Sequence, residues 1–198
     1  YPLDNDASDY SGNGYNGTLE NSPSFENGVI GNGVKIYGTD FVYGNGKCVI
    51  LPASLATNLN SCSNFTISLW VKEEGMAHYH GDSYIFFGNH SLGYAGISHL
   101  YNPDNNSQEI NFCVGSDEYN IFPFRVPFPG NYSPHFILYT MTYSNGVLKA
   151  YIDGNFIGEK NQSVLIGEPR AAIGRHYWNR EQLYWSTRLQ GVIDDVRI

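Results

Sequence analysis

Apolar and polar residues alternate along much of the chain. From Asn64 to Lys72, Phe65, Ile67, Leu69 and Val71 fall on one side of an extended backbone, and Thr66, Ser68, Trp70 and Lys72 on the other. Successive strand side chains point to opposite faces, so a period of two predicts a half-buried strand. Comparable runs occur at Val34–Tyr37, Lys47–Leu51, Tyr84–Phe87, Glu109–Val114, Phe136–Tyr143, Val147–Ile152, Ala171–Ile173 and Gly191–Ile198. Between them stand Gly12-Asn13-Gly14, Gly31-Asn32-Gly33, Gly44-Asn45-Gly46, Asn145-Gly146 and Asp153-Gly154, which supply the positive φ that tight turns need. The stretch Thr140–Gly158 reads as a three-stranded meander with Leu148, Ala150 and Ile152 on one face. Asn102–Gln108 and the proline-bearing Phe122–Pro134 read as loops. No period of 3.6 persists, so almost no helix is expected. Many short strands at this spacing predict an all-β, antiparallel sandwich, a single domain over residues 1–198. The inward residues of the Phe65 strand and of the meander should be buried in it.

Composition narrows the function. Hydrophobic residues make up 41% and aromatics 15%, which excludes a disordered chain. Eleven basic residues against 19 acidic ones give a net charge of −8. That balance lacks the basic stripe of a nucleic-acid binder and disfavours an anionic membrane surface. No apolar run approaches the roughly 20 residues of a membrane-spanning helix. The acidic opening YPLDNDASDYSGNG does not read as a signal peptide. Cys48, Cys62 and Cys113 contain no CxxC pair, which argues against a zinc knuckle. One disulfide plus one thiol, or three thiols, both fit that count.

Five segments in order carry a family resemblance. They are Asp9-Tyr10-Ser11-Gly12-Asn13-Gly14-Tyr15-Asn16-Gly17; Gly31-Asn32-Gly33-Val34-Lys35-Ile36; Thr66-Ile67-Ser68-Leu69-Trp70-Val71-Lys72; Ala150 to Gly158 around Asp153-Gly154; and Gly191-Val192-Ile193-Asp194-Asp195-Val196-Arg197-Ile198. Together they resemble the laminin-G-like, concanavalin A-like jelly-roll domains. The likeness runs end to end and is weakest over residues 75–135. It implies a jelly roll and places Trp70 in packing. It also implies one structural Ca²⁺ on the outer side of the sandwich, joining the amino-terminal loop to the last strand, with oxygens from Asp9, Asp194 and the backbone of Gly33. The alternative reading makes Asp9 an Asx-turn residue and Asp194 a surface carboxylate. That fold hosts lectins, glycanases, carbohydrate-binding modules and adhesion domains, so it does not settle function.

The residues themselves argue against catalysis. Retaining glycosidases need two carboxylates about 5–5.5 Å apart, and no Glu-x-Asp-x-x-Glu motif presents such a pair. The adjacent pairs Glu73-Glu74 and Asp194-Asp195 point to opposite faces of their strands. Sugar binding fares better. It calls for flat aromatics beside amide, guanidinium and carboxylate partners for hydroxyls. The segment Arg175–Trp185 has that chemistry, with Trp178 as the leading platform, Tyr177 and Trp185 behind it, and Arg175, Asn179 and Arg180 as hydroxyl partners. His80 and Asp82, from the HYHGD cluster at His78–Asp82, join as neighbours; a transition-metal site there lacks a third clear ligand. The expectation is a non-catalytic carbohydrate-binding or adhesive module of a larger extracellular or surface protein, its partner a glycan or polysaccharide. The competing expectation is a protein-interaction or spacer domain of an adhesin or a viral or phage surface fibre.

Overall fold

The computed structural model describes residues 1–37, 46–76, 82–89, 92–102, 107–115, 124–128, 135–177, 185–186 and 189–198. In chain order they form β1 (Thr18–Glu20), β2 (Ser24–Asn27), β3 (Asn32–Tyr37), β4 (Cys48–Leu51), α1 (Ala53–Ser61), β5 (Asn64–Met76), β6 (Asp82–Asn89), β7 (Gly93–Asn102) and β8 (Ser107–Gly115). There follow β9 (Phe124–Pro127), β10 (Ile137–Ser144), β11 (Val147–Ile152), β12 (Asn155–Asn161), β13 (Ala171–Ile173), β14 (His176–Tyr177), β15 (Trp185–Ser186) and β16 (Leu189–Arg197). Two seven-stranded sheets face each other, ordered β1-β4-β13-β6-β7-β8-β9 and β12-β11-β10-β5-β16-β3-β2, with β14 and β15 as a separate pair. The pairings within them are antiparallel. This is the jelly-roll sandwich the sequence predicts.

The period of two explains the core. Ile67, Leu69 and Val71 of β5 and Met141 of β10 are buried against Val49, Ile85, Phe87, Ile97 and Phe112 of the opposite sheet. Leu148 and Ala150 are buried as expected, whereas Phe65 and Ile152 are only half-buried at the core margin. Phe65 stacks there on Tyr143, ring centroids 5.3 Å apart. Trp70 departs from its expected place in packing. It takes the outward parity of β5, opposite Asp194 and Leu138, and is half-buried.

Three further departures have physical causes. Helix α1 begins after Pro52, whose fixed φ suits a helix entry, and buries Leu55, Ala56 and Leu59 at its inner side. Nine residues are too few for a helical period to emerge from the sequence. The strand β7 escapes the alternation because the outer face of its sheet is buried too: Phe86, Tyr94, Cys113 and Ala172 form a second cluster there. Strand β9 lies inside the expected Phe122–Pro134 loop, as an edge strand ending on Pro127, where a missing N–H costs little. Of the two cysteine states the sequence left open, the structure has three thiols: Cys48, Cys62 and Cys113 form no disulfide. Burial pushes the Cys48 and Cys113 thiols up to about 12, which keeps them protonated and unreactive.

Candidate functional site

The registers bring several strand ends to one end of the sandwich. Leu189 pairs with Met76, Gln190 with Tyr37, and Asp82 with His99. Residues Asn102 and Ser107 pair there as well, and β14 extends from β13 beside the start of β6. Tyr177 pairs with Trp185, so these two positions share an end of the molecule with Asp82. The side chains of Tyr177, Trp185 and Asp82, and the residues Trp178, Asn179, Arg180 and His80, lie outside the described residues.

Arg175 does not serve this rim. Its side chain is 1% exposed. Gly174, at φ +79, turns the chain out of β13 and sends the guanidinium inward, where Nη1 donates to Glu20 at 2.9 Å and Nη2 to the Gly46 carbonyl at 3.2 Å. A guanidinium enclosed in that way ties β1 to β13 and presents nothing to a ligand. Sequence reasoning placed it in the loop because the buried partner lies 155 positions away.

Beneath the same end lies a polar network that the sequence reading missed. Glu73 continues the inward parity of Ile67, Leu69 and Val71, and so enters the space between the sheets. Its Oε1 accepts from the Tyr84 hydroxyl at 2.5 Å. Both carboxylate oxygens lie 3.0 Å from His99 Nδ1. With the carboxylate as acceptor, Nδ1 is the donor of that contact, while Nε2 is buried without a hydrogen-bond partner among the described residues. The His99 ring stacks on Phe128, centroids 4.1 Å apart. Tyr139 extends the network by a hydrogen bond to Tyr84, and burial together with the Glu73 charge holds its hydroxyl well above the usual range. The signal was present: extending the β5 alternation by two residues puts a carboxylate in the core.

The second buried carboxylate is Asp194, on the outward parity of β16. It is no surface residue. The turn 28–31 covers it, and Oδ2 accepts from Val29 N at 2.7 Å and Ile30 N at 3.1 Å. Its Oδ1 is buried with no hydrogen-bond partner among the described residues. Burial raises the Asp194 carboxyl above its usual range, and the N–H bonds from Ile30 and Val29 offset part of that. Asp4 grips the same turn, its Oδ1 accepting from Asn32 N at 2.7 Å. A Cβ on Gly31 would stand 2.0 Å from that oxygen, and Gly31 has φ +70, so only glycine fits there. The backbone of Gly33 lies against Asp194: a Cβ there would reach the Asp194 Cβ at 3.1 Å. Gly33 and Asp194 are therefore neighbours. Asp9 instead spends both oxygens on its own turn, Oδ1 on Ser11 N at 2.8 Å and Oδ2 on Tyr15 N at 2.9 Å. Bonds from Ser11 and Tyr15 hold its carboxyl below the usual range.

Glu73 faces the interior and Asp194 the outer face of one sheet, so the two buried carboxylates among the described residues cannot act as an acid pair. Also among the described residues, no three His, Cys, Asp or Glu side chains gather to hold a metal, and no helix is long and apolar enough to cross a membrane.

Comparison with curated proteins by sequence finds no match. Comparison with solved structures finds the fold repeatedly. Domain 4 of AbnA, an extracellular arabinanase of Geobacillus stearothermophilus solved with arabinotriose, is 20% identical over 97% of this chain and 85% of that one, with a TM-score of 0.64. The CBM40 of a Ruminococcus gnavus IT-sialidase is 13% identical over 83% and 88%, with a TM-score of 0.56. The binding domain of botulinum neurotoxin DC, solved with SialylT, is 15% identical; this chain spans 96% of its own length but 44% of that domain, with a TM-score of 0.64. Residues 44–198 match the family described as the concanavalin A-like lectin/glucanases superfamily, and with most of its length matched the chain belongs to that superfamily.

Proposed function

We propose that the chain is a non-catalytic carbohydrate-binding module of a larger extracellular or surface protein, stabilised by one structural Ca²⁺. The observation that carries the glycan reading is the gathering of the Tyr177, Trp185 and Asp82 strand positions at one end of a lectin-superfamily sandwich. Two of the three structurally similar domains named above were solved with arabinotriose and SialylT, which supports the same class of ligand. Trp178 is the proposed platform, with Asn179 and Arg180 as hydroxyl partners, and a neutral or singly acidic sugar suits a chain of net charge −8. On an array of glycans the protein should bind, and Trp178→Ala should weaken binding about tenfold, the worth of one aromatic stack. Unaltered binding by that variant, or a melting temperature far below wild type, removes Trp178 from the ligand site.

The calcium reading rests on the orphaned Asp194 Oδ1. The Asp4 carboxylate grips the same turn and the Asn32 carbonyl stands beside the Asp194 carboxylate, and oxygens are the class a hard cation takes in sets of about six to eight. Asp194, Asp4 and the backbone beside Gly33 would hold the ion, drawing on main-chain carbonyls for the rest. Asp9 is committed to its own turn. The ion would supply charge neutralisation for a buried carboxylate and tie the turn 28–31 to β16.

A further inference from the structure

We propose a second saccharide site at the other end of the sandwich, in the groove between the Asp9–Tyr15 turn and the carboxyl end of β16. Three observations converge there. First, there is a concavity of about 350 Å³ lined by Asp9, Tyr10, Asn13, Tyr15, Asp195 and Arg197, with Leu55 and Val196 as its apolar floor. That volume suits one or two sugar rings and falls at the small end of ligand pockets.

Second, Tyr10 is 74% exposed on a turn that is fixed rather than loose. Besides the two bonds to the Asp9 carboxylate, Asp9 N donates to Asn16 Oδ1 at 2.9 Å, Gly17 N to the Ala7 carbonyl at 2.8 Å, and Tyr1 Oη to the Tyr15 carbonyl at 2.7 Å. Asn58 of α1 donates to the Tyr15 hydroxyl. An aromatic carried on a pre-formed turn meets a flat partner with less chain ordering left to do than one on a loose loop.

Third, the opposite wall is a distortion. Asp195 has φ +45, a strained value for a non-glycine residue, and the register of β16 shifts between Asp194 and Arg197. The bulge sets Asp195 and Arg197 side by side, Nη2 to Oδ2 2.7 Å, with the arginine side chain 69% exposed. The pair offers donors and acceptors in one plane, the complement of vicinal hydroxyls. Among the side chains of the groove, two carboxylates stand against one guanidinium that one of them already pairs, which suits an uncharged saccharide. With the Trp178 end this makes the module bivalent, able to bridge two strands of a neutral polysaccharide.

The test uses the intact 198-residue chain and an array of uncharged pentose and hexose oligosaccharides. An oligosaccharide bound by the wild type should lose about tenfold in affinity with Tyr10→Ala and with Arg197→Ala. The melting temperature should not change, because both side chains are largely exposed. Titration of that oligosaccharide should move the NMR signals of the Ser11, Asn13 and Tyr15 amides. If Tyr10→Ala binds every oligosaccharide as the wild type does, the site is overturned; if Trp178→Ala weakens that same binding, the loop-end reading survives by itself. An array on which no uncharged oligosaccharide binds overturns the second site as well.

Discussion

Glu73 and Asp194 are two carboxylates on one sheet, both removed from water, and they solve the problem of burial differently. Glu73, 5% exposed between the sheets, is answered entirely from within: Tyr84 and His99 supply its donors. Asp194, fully buried on the outer face, is answered by half, with Val29 and Ile30 on one oxygen and nothing on the other. An unpaired buried charge is costly, and a bound cation would offset that cost at Asp194. On the calcium proposal, Glu73 belongs to the architecture and Asp194 to a binding event.

The widest gap should open in the inter-sheet network. Glu73→Leu leaves the Tyr84 hydroxyl and a buried imidazole without their acceptor and should cost about 3–5 kcal/mol in urea unfolding. Adding His99→Leu to Glu73→Leu should restore part of that loss, because an apolar pair of similar volume no longer strands a polar group. A double variant as unstable as the sum of the two single variants would show that the two residues do not act as a unit.

At the outer face the expected effect is smaller and conditional. A cation that binds only the folded state contributes RT ln(1 + [L]/Kd), about 2.7 kcal/mol at a hundredfold excess over Kd. EDTA should therefore lower the melting temperature of the wild type, and Asp194→Ala should be insensitive to it. Glu73→Leu should keep the full EDTA effect, since its site is self-sufficient. Protein purified without chelator and free of calcium by elemental analysis would put Asp194 in the same class as Glu73.

How much of this was legible in advance follows from which contacts are local. The β5 alternation named Ile67, Leu69 and Val71 as core, and Asn145-Gly146 and Asp153-Gly154 gave the β10–β11–β12 meander, because parity and turn chemistry act over a few residues. Strand β7 was hidden because a sheet buried on both faces carries no polar face to alternate with. The sites were less legible than the fold. Asp194 was singled out through the resemblance of its motif, but its partners at Val29 and Ile30 stand 165 and 164 positions away, and no spacing rule reaches so far. Arg175 was misassigned for the same reason, its Glu20 partner being equally remote in sequence.

The finest distinction between the two carboxylates is their response to pH. Burial raises the Asp194 carboxyl, so without a cation the folded state binds its proton more tightly than the unfolded chain does. A raised folded-state pKa gives stability that is fully present below the unfolded value and is lost as pH rises through the folded one. In EDTA the wild type should thus lose part of its stability between acid and neutral pH through this group. Asp194→Asn, which is neutral throughout and keeps an oxygen for Val29 and Ile30, should flatten that slope and be at least as stable as wild type at pH 7. In saturating calcium the order reverses. The cation favours the ionised carboxylate, so acid now weakens the wild type by displacing the ion, and Asp194→Asn becomes the less stable protein at neutral pH. Chemical unfolding across pH 4–8, with and without calcium, reads both arms. A variant ranked on the same side of wild type under both conditions would show that the Asp194 oxygen is not waiting for a cation.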